Sequence, residues 1–243
     1  MYAFVAKTHS KRPSKELLNE QKKSYGILGL SYDDAIANLD QVCLKRFGMI
    51  YSENNGMWSE HLVFFAALAS SQATISNILE IGTFKGETTR ILADLFPNSQ
   101  VDSIDLSHDE IRSIGTYAYA ANELPNSMEM PNNVKLKTRN SLQLVDETFK
   151  YDLIWVDGNH MSPYVQIDIS CAIRMIKESG FVLCDDVYLK TSRFEKDSGS
   201  ESIDTILAFK EAGMINYSLI RKRLSKKFNN KITGAKFLAV LQR

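Results

Sequence analysis

The sequence predicts an α/β fold: a mostly parallel sheet of seven strands, helices on both faces, and an antiparallel C-terminal hairpin. Three observations carry this. From Ile78 onward, short apolar runs alternate with longer stretches of helical period, the pattern of parallel strands joined by crossover helices. The first run, Asn77-Ile78-Leu79-Glu80-Ile81, opens into a glycine loop, Gly82-Thr83-Phe84-Lys85-Gly86, and then a helix. The last two runs, Tyr217–Leu224 and Lys236–Gln242, follow one another without a helix between them, so they pair antiparallel.

The elements follow in order. Residues 1–30 are polar and basic with few apolar anchors, and are expected to be partly disordered or to wrap a partner subunit. Ser31, followed by Asp33 and Asp34, starts a helix whose apolar residues Ala35, Ile36, Leu39, Val42, Cys43 and Leu44 share a helical period. Phe47 to Asn55 is a loop, and Ser59 caps a helix carrying Leu62, Val63, Phe65, Ala66 and Leu68. Strands are expected at Ile78–Ile81, Val101–Ile104, Val134–Lys137, Leu153–Val156 and Phe181–Cys184. The fourth is apolar throughout, as strands buried on both faces are. Helices are expected over Glu87–Leu95, His108–Ala121, Tyr164–Lys177 and Ser202–Ala212, with Gly180 at the C-terminal end of the third. Ser141–Glu147 is a short helix or turn, and 123–133, with Pro125 and Pro131, is too turn-rich for regular structure. This divides the chain into an N-terminal extension, 1–55, helical or partly disordered and placed for substrate or dimer contacts, and a larger domain, 56–243.

The bulk composition excludes some partners. A formal net charge of zero removes any global attraction to nucleic acid or anionic membrane. The basic clusters Lys7–Lys23 and Arg221–Lys231 read as solvated faces or a hairpin tip. Cys43, Cys171 and Cys184 are far apart and lack C-x-x-C spacing, so Cys171 and Cys184 are expected as buried thiols, which suits a reducing cytosol. No window approaches the roughly 18 apolar residues needed to span a bilayer. A soluble, cytoplasmic protein is expected.

The glycine loop carries chemistry. Strand, glycine turn, helix, strand and terminal acid form the first half of a nucleotide-type site. The glycines let backbone approach a ligand, and Asp105, nineteen residues after Gly86, accepts hydrogen bonds from a ribose. The spacing departs from the dinucleotide fingerprint, with Phe84 where the second glycine belongs, and there is no Lys-Ser/Thr pair for a P-loop. A ligand with an adenosine but no pyrophosphate fits better. The alternative is an ordinary βα turn that binds nothing.

This segment resembles the first motif of class I S-adenosylmethionine (SAM)-dependent methyltransferases, whose fold is Rossmann-like. The resemblance implies that Glu80, Gly82, Thr83, Phe84 and Gly86, with Thr88 beyond them, line the methionine side of SAM. Asp105 would take both ribose hydroxyls. Leu106 would pack on the adenine face, and Asn140 and Ser141 would meet the adenine edge. Residues 56–243 become the SAM-binding methyltransferase domain. Met57 and Trp58 either cover the cofactor or pack in the core, with the core preferred, and His61 is read as structural.

A second constellation lies at the ends of strands four and five, Asp157-Gly158-Asn159-His160 and Asp185-Asp186. In a parallel sheet the C-terminal strand ends share one edge, where ligands bind. Three carboxylates gathered there repel, so one is protonated unless a cation neutralises them. Oxygen-only ligands select a hard ion such as Mg²⁺, with Ca²⁺ or Mn²⁺ as substitutes. The D-G-x-H … D-D pattern resembles the metal-dependent O-methyltransferases acting on catechols, caffeoyl-coenzyme A and macrolide sugars. That resemblance, over residues 56–243, implies Asp157, Asp185 and Asp186 as metal ligands, with Asp157 also beside the cofactor and in the catalytic pair. His160 stands where the catechol enzymes carry a lysine base, and either removes the acceptor's proton or orients an aspartate.

The implied activity is SAM-dependent O-methylation of a small-molecule hydroxyl, sugar- or catechol-like, assisted by Mg²⁺. The alternatives are a metal-independent methyltransferase, a hydroxylase-like enzyme, or a SAM-binding protein without catalysis. The expected partner is the small acceptor, with no nucleic acid and no membrane, in a homodimer. Residues 24–58, 161–164 and 187–201, including Tyr188, Lys190 and Arg193, are expected to choose the acceptor.

Overall fold

A computed structural model describes residues 14–107, 109–110, 130–189, 201–225 and 236–243. The expected 108–121 helix, apart from Asp109 and Glu110, lies outside the described residues, as do Lys190 and Arg193. The sheet has seven strands: β1 Asn77–Ile81, β2 Gln100–Asp105, β3 Val134–Thr138, β4 Tyr151–Val156, β5 Ile176–Tyr188, β6 Asn216–Arg221 and β7 Lys236–Gln242. Their order is β3-β2-β1-β4-β5-β7-β6. The first five in that order are parallel, and β7 is antiparallel to both β5 and β6. The seven-stranded, mostly parallel sheet with its closing hairpin is the one the sequence predicts. One consequence matters for the site. Because β7 reverses and β6 reverses again, β6 runs with β5, and its C-terminal end reaches the same edge.

Helices α1 Lys15–Ile27, α2 Tyr32–Phe47, α3 Glu60–Ala69, α4 Glu87–Leu95, α5 Tyr164–Met175 and α6 Glu201–Glu211 flank the sheet. Strand side chains alternate between two cores. Ile78, Val101, Leu153, Trp155, Phe181 and Leu183 join one with α2, α3 and α4. Leu79, Ile81, Ile104, Ile154, Val156 and Cys184 join the other with α5 and α6. Burial on both faces explains why β4 is apolar at nearly every position. All three cysteines are buried and free. No described helix is long and apolar enough to cross a membrane.

In the N-terminal segment, expected to be helical or partly disordered, residues 15–27 are a helix. Its anchors are few. Tyr25 is fully buried, edge-on to Tyr32 at 5.1 Å and Phe64 at 5.9 Å. Gln21 hydrogen-bonds the backbone of Arg221 in both directions, Nε2 to the carbonyl at 3.0 Å and Oε1 from the amide at 3.2 Å. A side-chain amide thus covers part of the open edge of β6, which would otherwise invite pairing. Ser31 caps α2 as expected, accepting from Asp34 N at 3.3 Å. Ser59 holds the N-cap position of α3 without a capping bond, because its hydroxyl lies 2.7 Å from His61 Nδ1.

Gly180 corrects a second expectation. Helix α5 stops at Met175 and β5 begins at once with Ile176, so Gly180 lies inside a strand. The β4–β5 ladder passes from Tyr151↔Ile176 to Leu153↔Phe181, and 177–180 bulge out between them. A Cβ on Gly180 would meet the Asp152 carbonyl at 2.8 Å and Ile176 Cδ1 at 2.7 Å. Gly180→Ala is therefore expected to destabilise the fold by about 1–3 kcal/mol, the usual cost of overpacking, read as a lower midpoint in urea unfolding.

Candidate functional site

Backbone hydrogen bonds run past the strand ends and tie the edge loops together. Gly82 N donates to Ile104 O at 3.0 Å, Asp157 N to Ile81 O at 2.9 Å, and Arg139 N to Asp105 O at 2.8 Å. Gly82 has φ +99°, and a Cβ there would stand 2.3 Å from the Asp157 carbonyl oxygen. Only glycine lets the cofactor-type loop pass this close to the β4 end. Phe84 follows in the left-handed region at φ +47°, a costly place for an aromatic residue. Asp105 holds it there: its Oδ2 accepts from Thr83 N at 2.9 Å and Phe84 N at 2.8 Å, and its Oδ1 from Leu106 N at 2.8 Å. With about two acceptor sites per oxygen, Oδ1 keeps one for a ligand.

Glu80 lies beneath the loop with no exposure. Its Oε2 accepts from Thr89 Oγ1 at 2.5 Å and Ser103 Oγ at 2.6 Å, and Ser103 Oγ lies 2.6 Å from Thr83 Oγ1. Burial pushes its carboxyl up to about 8, with help from the nearby charges of Asp157 and Asp105. Glu80 thus braces the loop from below as a protonated acid. His61 is structural, as expected. Its ring stacks on Trp155 at 4.9 Å, its Nε2 lies 3.4 Å from Thr88 Oγ1, and burial lowers it to about 3, so it is neutral. Trp58 is buried and donates to Glu87 Oε2 at 3.2 Å, which ties it to the first turn of α4, whereas Met57, expected in the core, is exposed. Asn140 caps a 3-10 turn at Ser141–Asp146, accepting from Leu142 N at 3.0 Å, and Ser141 hydrogen-bonds the buried Asp168. Both residues stand on the same edge as the glycine loop.

The acidic cluster forms, with a rearrangement. The donor atoms of Asp157, His160 and Asp185 lie within 4.8 Å of one another, and His160 Nε2 is 3.4 Å from Asp157 Oδ1. Asp186 is outside that group. Its backbone is left-handed, φ +50°, and its carboxylate accepts from Lys222 Nζ at 2.6 Å and Lys236 Nζ at 2.7 Å. Lys222 Nζ also reaches Asp185 Oδ2 at 2.5 Å. Burial would raise the Asp185 carboxyl, but the Lys222 charge and hydrogen bond hold it well below the usual carboxylate range. Burial and the neighbouring Asp185 push Asp157 well above that range. His160 rises too: burial opposes its charged form, but Asp157, Asp185 and Asp186 outweigh that. Both groups therefore favour their protonated forms more than they would in water.

Lys222 is the residue that sequence reasoning missed, because it sits in the basic cluster read as a solvated hairpin tip. It is 8% exposed. The strand-end rule that gathers the aspartates also places the residue after β6 on their edge, and that signal was available.

Comparison with known proteins bears on the fold that carries this edge. Residues 79–187, from β1 to the end of β5, match the family model described as a methyltransferase domain. No curated protein matches the chain by sequence. Among solved structures, the O-methyltransferase TomG from Streptomyces achromogenes, involved in tomaymycin synthesis and in complex with SAM, is 17% identical with a TM-score of 0.50, covering 92% of this chain and 97% of its own. Cofactor-bound Rv0187 from MTB is 18% identical with a TM-score of 0.50, covering 86% of this chain and 87% of its own. At these identities the likeness carries the fold.

Glu80 and His61 make stability depend on pH in opposite directions. The Glu80 carboxyl is raised from 4.5 to about 8, so its contribution is complete below pH 4.5 and lost as pH rises through 8. His61 is lowered from 6.5 to about 3, so its contribution is complete above pH 6.5 and lost as pH falls towards 3. Glu80→Gln keeps an acceptor for Thr89 and Ser103, and is expected to flatten the alkaline fall of the melting midpoint. Buried Glu60, raised to about 8, supplies the part that remains. An unchanged alkaline fall would show that Glu80 is ionised in the fold.

Proposed function

We propose that this chain, whose residues 79–187 form a methyltransferase domain of the class I, SAM-dependent type, methylates a hydroxyl oxygen of a small molecule. One observation carries the reading. The methyltransferase match spans the strand ends where a braced glycine loop, the Asp105 carboxylate and the His160–Asp157 pair converge on one edge. TomG, an O-methyltransferase in complex with SAM, shares the fold and supports oxygen as the methyl acceptor.

The residues present fit SAM. Asp105 retains an acceptor position on Oδ1 for a ribose hydroxyl, and Gly82, with φ +99° and no Cβ, lets the loop lie against the end of β4. Thr83, Phe84 and Thr88 are proposed as neighbours of that side, and Leu106, Asn140 and Ser141 as neighbours of adenine. When bound, SAM supplies a methyl group made electrophilic by its positive sulfur. The chain's task is then to orient the acceptor oxygen and take its proton. His160 is the proposed base: half-buried and on the shared edge, its imidazole takes the hydroxyl proton and becomes an imidazolium whose Nε2 faces Asp157 Oδ1 at 3.4 Å. Asp157 keeps the imidazole oriented and stabilises its protonated form. The acceptor itself is proposed to lie against the 48–58 loop, which presents Met49, Ile50 and Met57 to solvent next to the Trp58–Glu87 contact.

The divalent ion expected from the sequence fits poorly as first read. Asp186 is turned to two lysines, and Asp185 shares one of them.

Two measurements test the reading. Calorimetric titration of SAM is expected to show micromolar binding that Asp105→Ala weakens about tenfold or more, the scale of one lost charge-assisted hydrogen bond. No binding by the wild type would sink the proposal. With an acceptor in hand, the rate is expected to rise with pH through a pKa above 6.5, as the proton leaves the His160 imidazole. His160→Gln should remove that limb and lower kcat about 10²-fold or more, and an unchanged pH profile in this variant would exclude His160 as the base.

A further inference from the structure

The position of Lys222 carries an inference about the acidic edge itself. Its backbone is clamped: Lys222 N donates to Lys236 O at 2.9 Å, and Glu60 N donates to Lys222 O at 3.0 Å. The next turn is fixed by the buried Glu53, whose carboxylate accepts from Leu224 N at 2.6 Å and Ser225 N at 2.7 Å. The Lys222 side chain, 10% exposed, therefore enters the edge from a rigid base and donates two of its N–H groups to Asp185 and Asp186. Lys236 closes the far side of Asp186.

We propose that Lys222 is the resident cation of this edge: it occupies the place between Asp185 and Asp186 where the residue pattern predicts a divalent ion, and the methyltransferase works without one. The inference rests on the proposed methyl transfer and adds a positioning residue to it. The charge balance supports it. The Asp185 and Asp186 carboxylates face the Lys222 and Lys236 ammonium groups at 2.5–2.7 Å, so each already has a cation against it. The geometry supports it as well. An ion held by both Asp185 and Asp186 would displace a buried ammonium from its only two carboxylate partners among the described residues, and a buried charge left unpaired is costly. What remains for an ion is Asp157, His160 and one oxygen of Asp185, a donor set with a nitrogen in it and no longer the oxygen-only set that selects Mg²⁺.

The test is calorimetric titration of the full-length protein with Mg²⁺ and with Mn²⁺, each in the presence of SAM. The wild type is expected to show no saturable metal binding and the same SAM affinity with or without EDTA. Lys222→Ala is expected to gain saturable Mn²⁺ binding where the wild type shows none, since a positive charge next to the ion is removed. Lys222→Arg should stay metal-blind, which a merely structural lysine would not require. Saturable metal binding by the wild type that Asp185→Asn removes would overturn the inference, as would a folded Lys222→Ala that gains none. If Lys222→Ala does not fold, the wild-type and Asp185→Asn titrations decide alone. SAM binding in the same cell keeps the two readings apart: its absence refutes the methyltransferase proposal, whereas metal binding with intact SAM affinity refutes only the role of Lys222.

Discussion

The site depends on one close approach, that of Gly82 to the carbonyl of Asp157. A side chain at Gly82 would overlap that oxygen, so the loop after β1 and the loop after β4 can share the sheet edge only if one of them has no Cβ. The approach sets the distance between the surface that would hold a cofactor and the pair that would take a proton. It also explains how Phe84 tolerates a left-handed backbone: the loop is pinned on one side by Asp157 and on the other by the Asp105 carboxylate. Strain of this kind persists only where surrounding contacts over-determine it.

Below that contact the molecule uses neutral polar groups, and above it charged ones. Glu80, Ser103, Thr83 and Thr89 form a buried hydrogen-bonded chain that supports the loop from underneath. Asp157, His160, Asp185, Asp186 and the two lysines form the layer facing the open edge. Burial divides the labour. A fully enclosed carboxyl keeps its proton and acts as a brace, while a carboxylate with a lysine against it stays ionised.

Much of this was legible in the sequence. The parallel sheet and its antiparallel closing pair follow from alternating apolar runs and a final strand pair with no helix between. The convergence of Gly82, Asp105, Asp157 and Asp185 follows from the rule that parallel strands end on one edge. What the sequence hid has physical reasons. Helix α1 is anchored by a tyrosine and a glutamine rather than by an apolar stripe, so its period is faint. Gly180 resembles a helix stop because the helix ends only five residues earlier, yet it serves a bulge whose need for space is set by Asp152 on the neighbouring strand. Asp186 reads as a third ligand because adjacent acids look equivalent in a sequence. A single left-handed residue turns its carboxylate towards the lysines.

The hairpin that delivers the lysines is also the last pair of strands in the chain. Strand β7 inserts between β5 and β6, so β6 has no place in the sheet until β7 has been made. During synthesis the aspartates of β4 and β5 emerge first and face one another without their counterions. Their mutual repulsion works against early closure of the edge, and arrival of Lys222 and Lys236 relieves it. The same hairpin supplies Leu238 and Val240 to one core and Ala239 and Leu241 to the other, so its arrival completes the charged edge and both hydrophobic faces together. An incomplete nascent chain would carry the glycine loop and the acids, but not the cations that let them settle.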